Sequence, residues 1–132
     1  RVLDFAATVE GPKFQLCRKP EDAVVDADVV ITDVWASMGM EAETEKRARD
    51  FADYQVNSAV LKLAKPDAIF LHCLPSFHDL ETSVGREIHQ KFGITEMEVS
   101  DEVFRAKCSK VFDEAENRMH TIKAVMYATL LE

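Results

Sequence analysis

The sequence predicts an α/β domain built on a parallel sheet that is flanked by helices on both faces. Two short apolar runs, Val29–Thr32 and Ala68–Leu71, have the length and composition of buried strands. Helical patterns fill the chain between them, and such a connection joins parallel strands by a right-handed crossover. Asp33 follows the first run, and His72 and Cys73 follow the second. Because parallel strands end at the same edge of a sheet, we expect Asp33 and Cys73 to share one crevice.

Three elements are predicted before the first of these strands. Residues 1–10 have the pattern of the end of a helix that closes near Gly11. Lys13–Cys17 alternates polar and apolar side chains, which predicts a short strand. A short helix is predicted to start at Pro20, because proline and the acidic side chains that follow it suit the first turn of a helix.

Helices are predicted to dominate the rest of the chain. Glu41–Tyr54 has acidic residues near its start and basic residues later, which favours one continuous helix. Asn57 is a suitable N-cap for a helix over Ser58–Ala64. The later predicted elements are a helix over Thr82–Phe92 ended by Gly93, a brief strand over Met97–Val99, a helical turn capped by Ser100 and continuing through Phe104, and a helix over about Lys110–Leu130.

The last of these helices has an apolar stripe at helical spacing, which predicts that this face is buried. Arg118 lies beside the stripe, where its guanidinium can bind a phosphate or a carbonyl oxygen. An arginine in such a position more often pairs with a nearby carboxylate, and that interpretation stays open. The stripe consists of Phe112, Ala115, Met119, Ile122, Met126 and Thr129.

Length and charge narrow the classes of function. The chain has 132 residues, which is enough for one domain, and its formal net charge is −8. This charge disfavours nucleic acid and anionic membranes as partners and suits a site that admits an amine. No apolar run approaches the ~20 residues of a membrane span. The three cysteines have no framework spacing, so we expect reduced thiols in a cytoplasmic protein.

Cys73 and Asp33 each have a functional and a structural interpretation. A thiol at a strand end can act as a nucleophile or a ligand, but free cysteine is also commonly a small buried hydrophobic residue. A metal site formed by Cys73, His72 and His78 is less favoured, because no second ligand pair has the spacing of a zinc site. Asp33 can hold an ammonium group, or it can cap the next helix as an ordinary surface residue.

Three motifs in this order carry a resemblance that covers nearly the whole chain. They are Asp33-Val34-Trp35-Ala36-Ser37-Met38-Gly39, His72-Cys73-Leu74-Pro75, and Phe112-Asp113-Glu114-Ala115-Glu116-Asn117-Arg118-Met119-His120-Thr121. Together they resemble the C-terminal, ornithine-binding part of the ornithine carbamoyltransferases, in the aspartate/ornithine carbamoyltransferase superfamily. The aspartate enzymes differ at the second motif, where they have His-Pro-Leu-Pro. The resemblance implies a Rossmann-like ornithine-binding domain that is incomplete at its N-terminus.

The resemblance also implies a reaction. The family transfers the carbamoyl group of carbamoyl phosphate to the δ-amine of L-ornithine, which gives L-citrulline and phosphate without a metal or organic cofactor. Carried over by motif, Asp33 binds the α-amino group of ornithine, and Ser37 and Met38 help to fix its amino-acid end.

Three further residues have implied roles next to the reacting groups. Cys73 lies against the amines and positions the nucleophile without forming a covalent intermediate. Leu74, through its backbone carbonyl, and Arg118 contact the carbamoyl group. Attack requires a neutral amine held close to a polarised carbonyl, so positioning and charge stabilisation are expected to supply most of the rate.

The family's phosphate-binding segments, a Ser-x-Arg-Thr loop and a His-Pro-x-Gln segment, do not occur in the chain. We therefore expect residues 1–132 to be a partial ornithine-binding domain without the carbamoyl-phosphate domain. The family is built on trimers, which implies a homo-oligomer in the complete enzyme. Two alternatives stay open: a truncated, non-catalytic binding or assembly domain, and a thiol hydrolase using Cys73 with His72 or His78. The hydrolase is weakened because no Gly-rich oxyanion loop adjoins Cys73.

Overall fold

The structure is a computed structural model that describes residues 1–9, 11, 14–36 and 41–130. Two strands and seven α-helices lie within these ranges, together with two single 3₁₀ turns at Glu41–Glu43 and Ala52–Tyr54. In chain order the elements are α1 (Val2–Thr8), α2 (Pro20–Val24), β1 (Val29–Thr32), α3 (Thr44–Asp50), α4 (Ser58–Leu61), β2 (Ile69–His72), α5 (Ser83–Phe92), α6 (Asp101–Phe104) and α7 (Val111–Leu130).

The two strands form a parallel sheet, as predicted. Val30 lies opposite Phe70, and Thr32 lies opposite His72, so both strands end at the same edge. Ser109 adds an isolated parallel bridge to Phe70 on the other side of β2. The predicted α/β class, a parallel sheet with helices, is confirmed.

The core lies where helices cover one face of this sheet. Val30 and Phe70 are buried side by side, and Phe70 is completely inaccessible to solvent. Helices α2, α4 and α6 each place a valine against this pair: Val24, Val60 and Val103. The apolar residues that alternate along the strands therefore decide which helix faces pack onto the sheet.

The predicted helix caps are confirmed. The Asn57 side chain accepts hydrogen bonds from the backbone N–H groups of Ala59 and Val60, at 3.0 and 3.1 Å. Thr82, predicted as the first residue of its helix, is instead the N-cap of α5, and Gly93 ends α5 in the left-handed conformation with φ of 70°, as predicted. Ser100 accepts a hydrogen bond from the Val103 N–H and so begins α6. Short polar side chains thus set the helix starts that the sequence indicates.

Two helix predictions were too long. The predicted helix over Glu41–Tyr54 is interrupted, because α3 ends at Asp50 and the chain tightens into a 3₁₀ turn. That turn lets the Phe51 ring approach the ring of Trp35, with centroids 6.3 Å apart. The helix predicted over Ser58–Ala64 ends as an α-helix at Leu61, and its last residues make tighter i to i−3 hydrogen bonds.

Two strand predictions also failed in whole or in part. The strand predicted over Lys13–Cys17 is wrong: Lys13 lies outside the described residues, and the residues from Phe14 to Cys17 form no strand. A strand requires a neighbour to pair with, and no described strand lies beside this segment. The strand predicted over Met97–Val99 is reduced to a single parallel bridge between Val99 and Val56.

The predicted burial of the α7 stripe is wrong within the described chain. Val111 at the start of α7 is buried, but every residue from Ala115 to Leu130 is exposed. Phe112 keeps 68% of its surface accessible although its ring meets that of Phe104 edge-on. The stripe is exposed because no other described element extends along this helix. None of the described helices is long and apolar enough to cross a bilayer.

Candidate active site at the carboxyl ends of the strands

Asp33 and Cys73 meet where β1 and β2 end, which confirms the predicted shared crevice. The Cys73 thiol donates a hydrogen bond to Asp33 Oδ1, with Sγ 3.0 Å from the oxygen. The backbone N–H of Val34 donates to the same oxygen, at 2.7 Å. Because both side chains are exposed, a ligand in the crevice can reach them.

The contact between these two side chains sets their protonation states. The hydrogen bond to Asp33, burial and the Asp33 charge raise the pKa of the Cys73 thiol to about 11. The hydrogen bonds from Cys73 and from the Val34 N–H lower the pKa of Asp33. At neutral pH the site therefore presents a protonated thiol and a charged carboxylate. This arrangement can hold a cation and donate a hydrogen bond, but it provides no thiolate nucleophile.

His72 and Glu98 form a buried support beneath Cys73. The His72 ring is completely buried, with its Nδ1 bonded to the Cys73 carbonyl oxygen and its Nε2 3.2 Å from Glu98 Oε1. Burial lowers the pKa of His72, but the hydrogen bond and charge of Glu98 and the Cys73 carbonyl outweigh it, and the net pKa is raised. Glu98 is completely buried too and accepts a hydrogen bond from the Phe77 N–H at 2.9 Å. The pair thereby fixes the backbone on both sides of the Cys73–Leu74 segment.

Glu98 was missed by the sequence analysis. It lies between Met97 and Val99, which are both buried, in a segment predicted only as a brief strand. A glutamate enclosed by apolar residues next to a strand is the signal that could have identified it, because a buried carboxylate needs a specific partner. The identity of that partner, His72, depends on tertiary structure.

Leu74 follows Cys73 at the rim of the crevice and precedes a cis peptide bond to Pro75. Its side chain is 41% exposed. Within the described ranges, no donor is bonded to the Leu74 carbonyl oxygen. That oxygen can therefore accept a hydrogen bond from a ligand.

Ser37 and Met38, which the sequence analysis placed in the site, lie outside the described residues. The chain leading to them is anchored, because Arg47 Nη1 donates to the Trp35 carbonyl at 3.1 Å. Arg47 also pairs with Glu43, its Nε lying 2.8 Å from the carboxylate. The described residues that follow Asp33, up to Trp35, are thus held against α3.

Arg118 is exposed on α7, and its side chain bonds to neither Asp33 nor Cys73 in the structure. Its side chain makes no hydrogen bond or ion pair with any described residue, so the open alternative of a pairing with a nearby carboxylate finds no partner there. Glu114, one helical turn earlier, is close enough for its charge to act on the Cys73 thiol. Arg118 shares that helix face, because residues four apart lie above one another.

A second cluster of charged groups lies after the crevice loop. His78 Nδ1 donates to Asp101 Oδ1 at 2.7 Å, and its ring stacks on Phe104 with centroids 3.5 Å apart. Arg105 pairs with Asp101 and with Asp79, at 2.8 Å in each case. The carboxylates of Asp79 and Asp101 with His78 could be metal ligands by spacing alone. Arg105 already supplies the positive charge there, so the cluster ties the loop to α6.

The structure does not bring together the three residues that were considered from the sequence as metal ligands, namely Cys73, His72 and His78. Cys73 Sγ bonds Asp33, both nitrogens of His72 are engaged, and His78 bonds Asp101. Each of these side chains thus has a separate partner.

Comparison with known proteins adds a family match. Residues 2–129 match the family model described as "Aspartate/ornithine carbamoyltransferase, Asp/Orn binding domain". A protein named catabolic ornithine carbamoyltransferase from Bacillus cereus is 60% identical over 130 residues, which are 98% of this chain and 39% of that protein. Catabolic ornithine carbamoyltransferase 2 from Staphylococcus epidermidis is 63% identical over 109 residues, 82% of this chain and 32% of the relative.

Solved structures of ornithine carbamoyltransferases also resemble this chain. Ornithine carbamoyltransferase from Pyrococcus furiosus superposes with a TM-score of 0.63 and 45% identity, over 82% of this chain and 29% of that one. The Thermus thermophilus enzyme gives a TM-score of 0.61 and 39% identity, over 88% and 31% of the two chains. The chain thus spans between 29% and 39% of the length of these four relatives.

Proposed function

The chain belongs to the aspartate/ornithine carbamoyltransferase family, matching its Asp/Orn-binding domain, and we propose that it supplies the ornithine-binding part of an ornithine carbamoyltransferase. The reaction transfers the carbamoyl group of carbamoyl phosphate to the δ-amine of L-ornithine and gives L-citrulline and phosphate. The single observation that carries the proposal is the charged Asp33 carboxylate bonded to a protonated Cys73 thiol.

Asp33 is the group that binds the α-ammonium of ornithine. Its pKa is lowered, so it carries a negative charge at neutral pH, and its exposed carboxylate can accept a charge-assisted hydrogen bond. Ser37 and Met38 follow Asp33 in the sequence and would fix the amino-acid end of the substrate. This assignment gives the acidic site a cationic ligand.

Cys73 positions the amine and does not attack the carbamoyl group. A thiol with a pKa of about 11 is protonated at neutral pH and can only donate or pack. The neutral δ-amine is then the nucleophile, while the Leu74 carbonyl and Arg118 hold the carbamoyl group for attack. Proximity and orientation of two bound substrates supply the rate, as expected where no covalent step takes place. The raised thiol pKa also disfavours a thiol hydrolase.

The second candidate, a non-catalytic binding or assembly domain, has one specific observation in its favour. The apolar stripe of α7 and the outward face of β1 are exposed, with Ile31 keeping 66% of its surface accessible. A carbamoyl-phosphate domain, other copies in a homotrimer, or both would cover such surfaces. For the complete enzyme, we propose that a carbamoyl-phosphate domain and the other copies of a homotrimer cover these surfaces. We also propose that the complete enzyme is cytoplasmic.

Citrulline formation separates the two candidates. The purified chain is assayed with L-ornithine and carbamoyl phosphate, alone and with an added carbamoyl-phosphate domain from a family member. Citrulline produced only in the combined sample supports the proposed function. Binding of L-ornithine without citrulline in either sample would favour the non-catalytic candidate, and absence of ornithine binding in both would contradict the proposal.

A further inference from the structure

Arg47 of α3 bonds the chain that follows Asp33, and we propose that it is a positioning residue, which aims the Asp33 carboxylate at the amino-acid end of ornithine. The inference rests on the proposed function, because it names a residue that acts on the same site through Asp33. Arg47 itself needs no contact with the substrate in this role.

The Arg47 guanidinium makes the contact that links α3 to the site. Its Nη1 donates to the Trp35 carbonyl oxygen at 3.1 Å, across 12 positions of the sequence. The Trp35 ring also meets the ring of Phe51, with centroids 6.3 Å apart. Arg47 and Phe51 are four residues apart, so both contacts are made by one side of the helix. Trp35 is therefore held against α3 by its backbone and by its side chain.

This anchor acts two residues away from the Asp33 carboxylate. Val34 lies between Asp33 and Trp35, and its N–H donates to Asp33 Oδ1 at 2.7 Å. On the other side of Asp33, Thr32 is fixed in the sheet by its pairing within β1 and β2. Asp33 and Val34 are thus held between the sheet and the bond from Arg47. An anchor at Trp35 limits rotation of the Val34 peptide, and with it the direction in which the carboxylate can meet a cation.

The Arg47 guanidinium is itself oriented by a carboxylate. Its Nε lies 2.8 Å from Glu43 Oε2, and Glu43 is the residue from which α3 starts. Because a guanidinium is a rigid planar fork, engagement of Nε restricts the direction in which Nη1 can donate. The Arg47 side chain is 30% exposed, whereas that of Arg49 is 71% exposed and pairs with Glu45 on the helix surface. Arg49 therefore offers a matched comparison, with the same kind of ion pair and no printed bond to the site.

Charge and position have opposite effects at this site. Through its positive charge alone, Arg47 would disfavour a cationic ligand at Asp33 and would favour the thiolate of Cys73. Through its bond to Trp35, it keeps the carboxylate in place to bind an ammonium group and to hold the thiol. Removal of Arg47 therefore gives changes of one sign if the residue acts by position and of the other sign if it acts by charge.

The first test uses this chain and requires no turnover. Arg47→Met keeps much of the length of the side chain and removes its donors, and Arg49→Met is the matched control on the same helix. Alkylation of each cysteine by iodoacetamide at pH 8 is followed by peptide mass spectrometry. A displaced Asp33 carboxylate releases the Cys73 thiol, so Cys73 should react about three- to tenfold faster in Arg47→Met and at an unchanged rate in Arg49→Met.

Cys108 reports in the same experiment whether the fold is intact. An unchanged or slower Cys73 rate in Arg47→Met would overturn the positioning role, because the carboxylate would then keep its place without the bond to Trp35. Equal acceleration of Cys73 and Cys108 would also overturn it, because Arg47 would then support the whole fold. These outcomes do not depend on whether the chain takes part in carbamoyl transfer.

The second test measures ligand binding and turnover in the chain combined with a carbamoyl-phosphate domain. L-Norvaline has the carbon skeleton of ornithine and its α-ammonium but lacks the δ-amine. Arg47→Met should weaken the binding of both amino acids about three- to tenfold, because both depend on a correctly aimed Asp33. The KM for ornithine should rise by a similar factor while kcat changes little, because the α-ammonium stays bound throughout the reaction.

Two results of this second test would contradict the positioning role. Unchanged or tighter binding of both amino acids in Arg47→Met would show that the residue does not aim Asp33. Weakening of ornithine alone, or a fall in kcat without a rise in KM, would place the effect at the reacting end of the substrate. Absence of ornithine binding to the unsubstituted protein would instead contradict the proposed function.

Discussion

Cys73 Sγ lies 3.0 Å from Asp33 Oδ1, across the parallel pair that brings the ends of β1 and β2 together. The contact joins residues that are 40 positions apart in the sequence. It keeps the thiol protonated and the carboxylate charged. A site with these two states can bind and orient an amine without competing with it as a nucleophile.

Asp33→Asn should lower the pKa of Cys73 from about 11 toward the ordinary thiol range, because the first cause of its elevation is the hydrogen bond to Asp33. The thiolate absorbance at 240 nm, titrated from pH 7 to 12, measures this value. Cys73→Ser in the same background identifies the contribution of Cys73 among the three thiols. An unchanged titration in Asp33→Asn would show that the carboxylate does not hold the thiol.

Cys73→Ala should reduce citrulline turnover by the chain combined with a carbamoyl-phosphate domain, but it should not abolish this turnover. The thiol is assigned to positioning, and losing one neutral donor at the amine should cost roughly two- to tenfold in kcat/KM. Steady-state citrulline formation provides the measurement. Complete loss of activity, together with a carbamoyl adduct on Cys73 in the unsubstituted protein, would refute the positioning role.

The His72–Glu98 pair should make stability depend on pH. The folded-state pKa of His72 is raised, so its contribution to stability is fully present below about 6.5, the unfolded value, and is lost as pH rises through the folded pKa. Urea unfolding of the chain between pH 5.5 and 8.5 should show the free energy of unfolding falling over this window. Glu98→Gln should flatten this dependence, and an equally steep decline in that variant would assign it to another group.

The His78 cluster should hold the loop after β2. His78→Phe keeps the stacking on Phe104 but removes the hydrogen bond to Asp101, whereas His78→Asn keeps a donor and removes the stacking. Losing a hydrogen bond to a charged group should cost roughly 1.5 kcal/mol in His78→Phe. Urea unfolding measures the change, with the exposed His89→Ala as control. If His78→Phe were as stable as the unsubstituted chain, the hydrogen bond to Asp101 would not stabilise the loop, and only the stacking on Phe104 would remain to hold it.

The sequence was sufficient for the strands, their parallel pairing and the edge where Asp33 and Cys73 meet, because apolar runs and chain connectivity determine these features. Asn57 and Ser100 could be assigned as caps, since capping acts over three residues. The pairing of Glu98 with His72 required the folded chain. The exposure of the α7 stripe could not be foreseen, because helical periodicity shows that a face is apolar and does not show what covers it.

Binding of L-ornithine to the Asp33→Asn variant tests the central claim most directly. Titration calorimetry is performed on the chain combined with a carbamoyl-phosphate domain, with carbamoyl phosphate as the second ligand. Asparagine keeps the shape of Asp33 and loses its charge, so ornithine affinity should fall by roughly ten- to a hundredfold, while carbamoyl phosphate binds almost as before. A collapse of carbamoyl phosphate affinity with unchanged ornithine affinity would contradict the account, because Asp33 would then serve the other substrate.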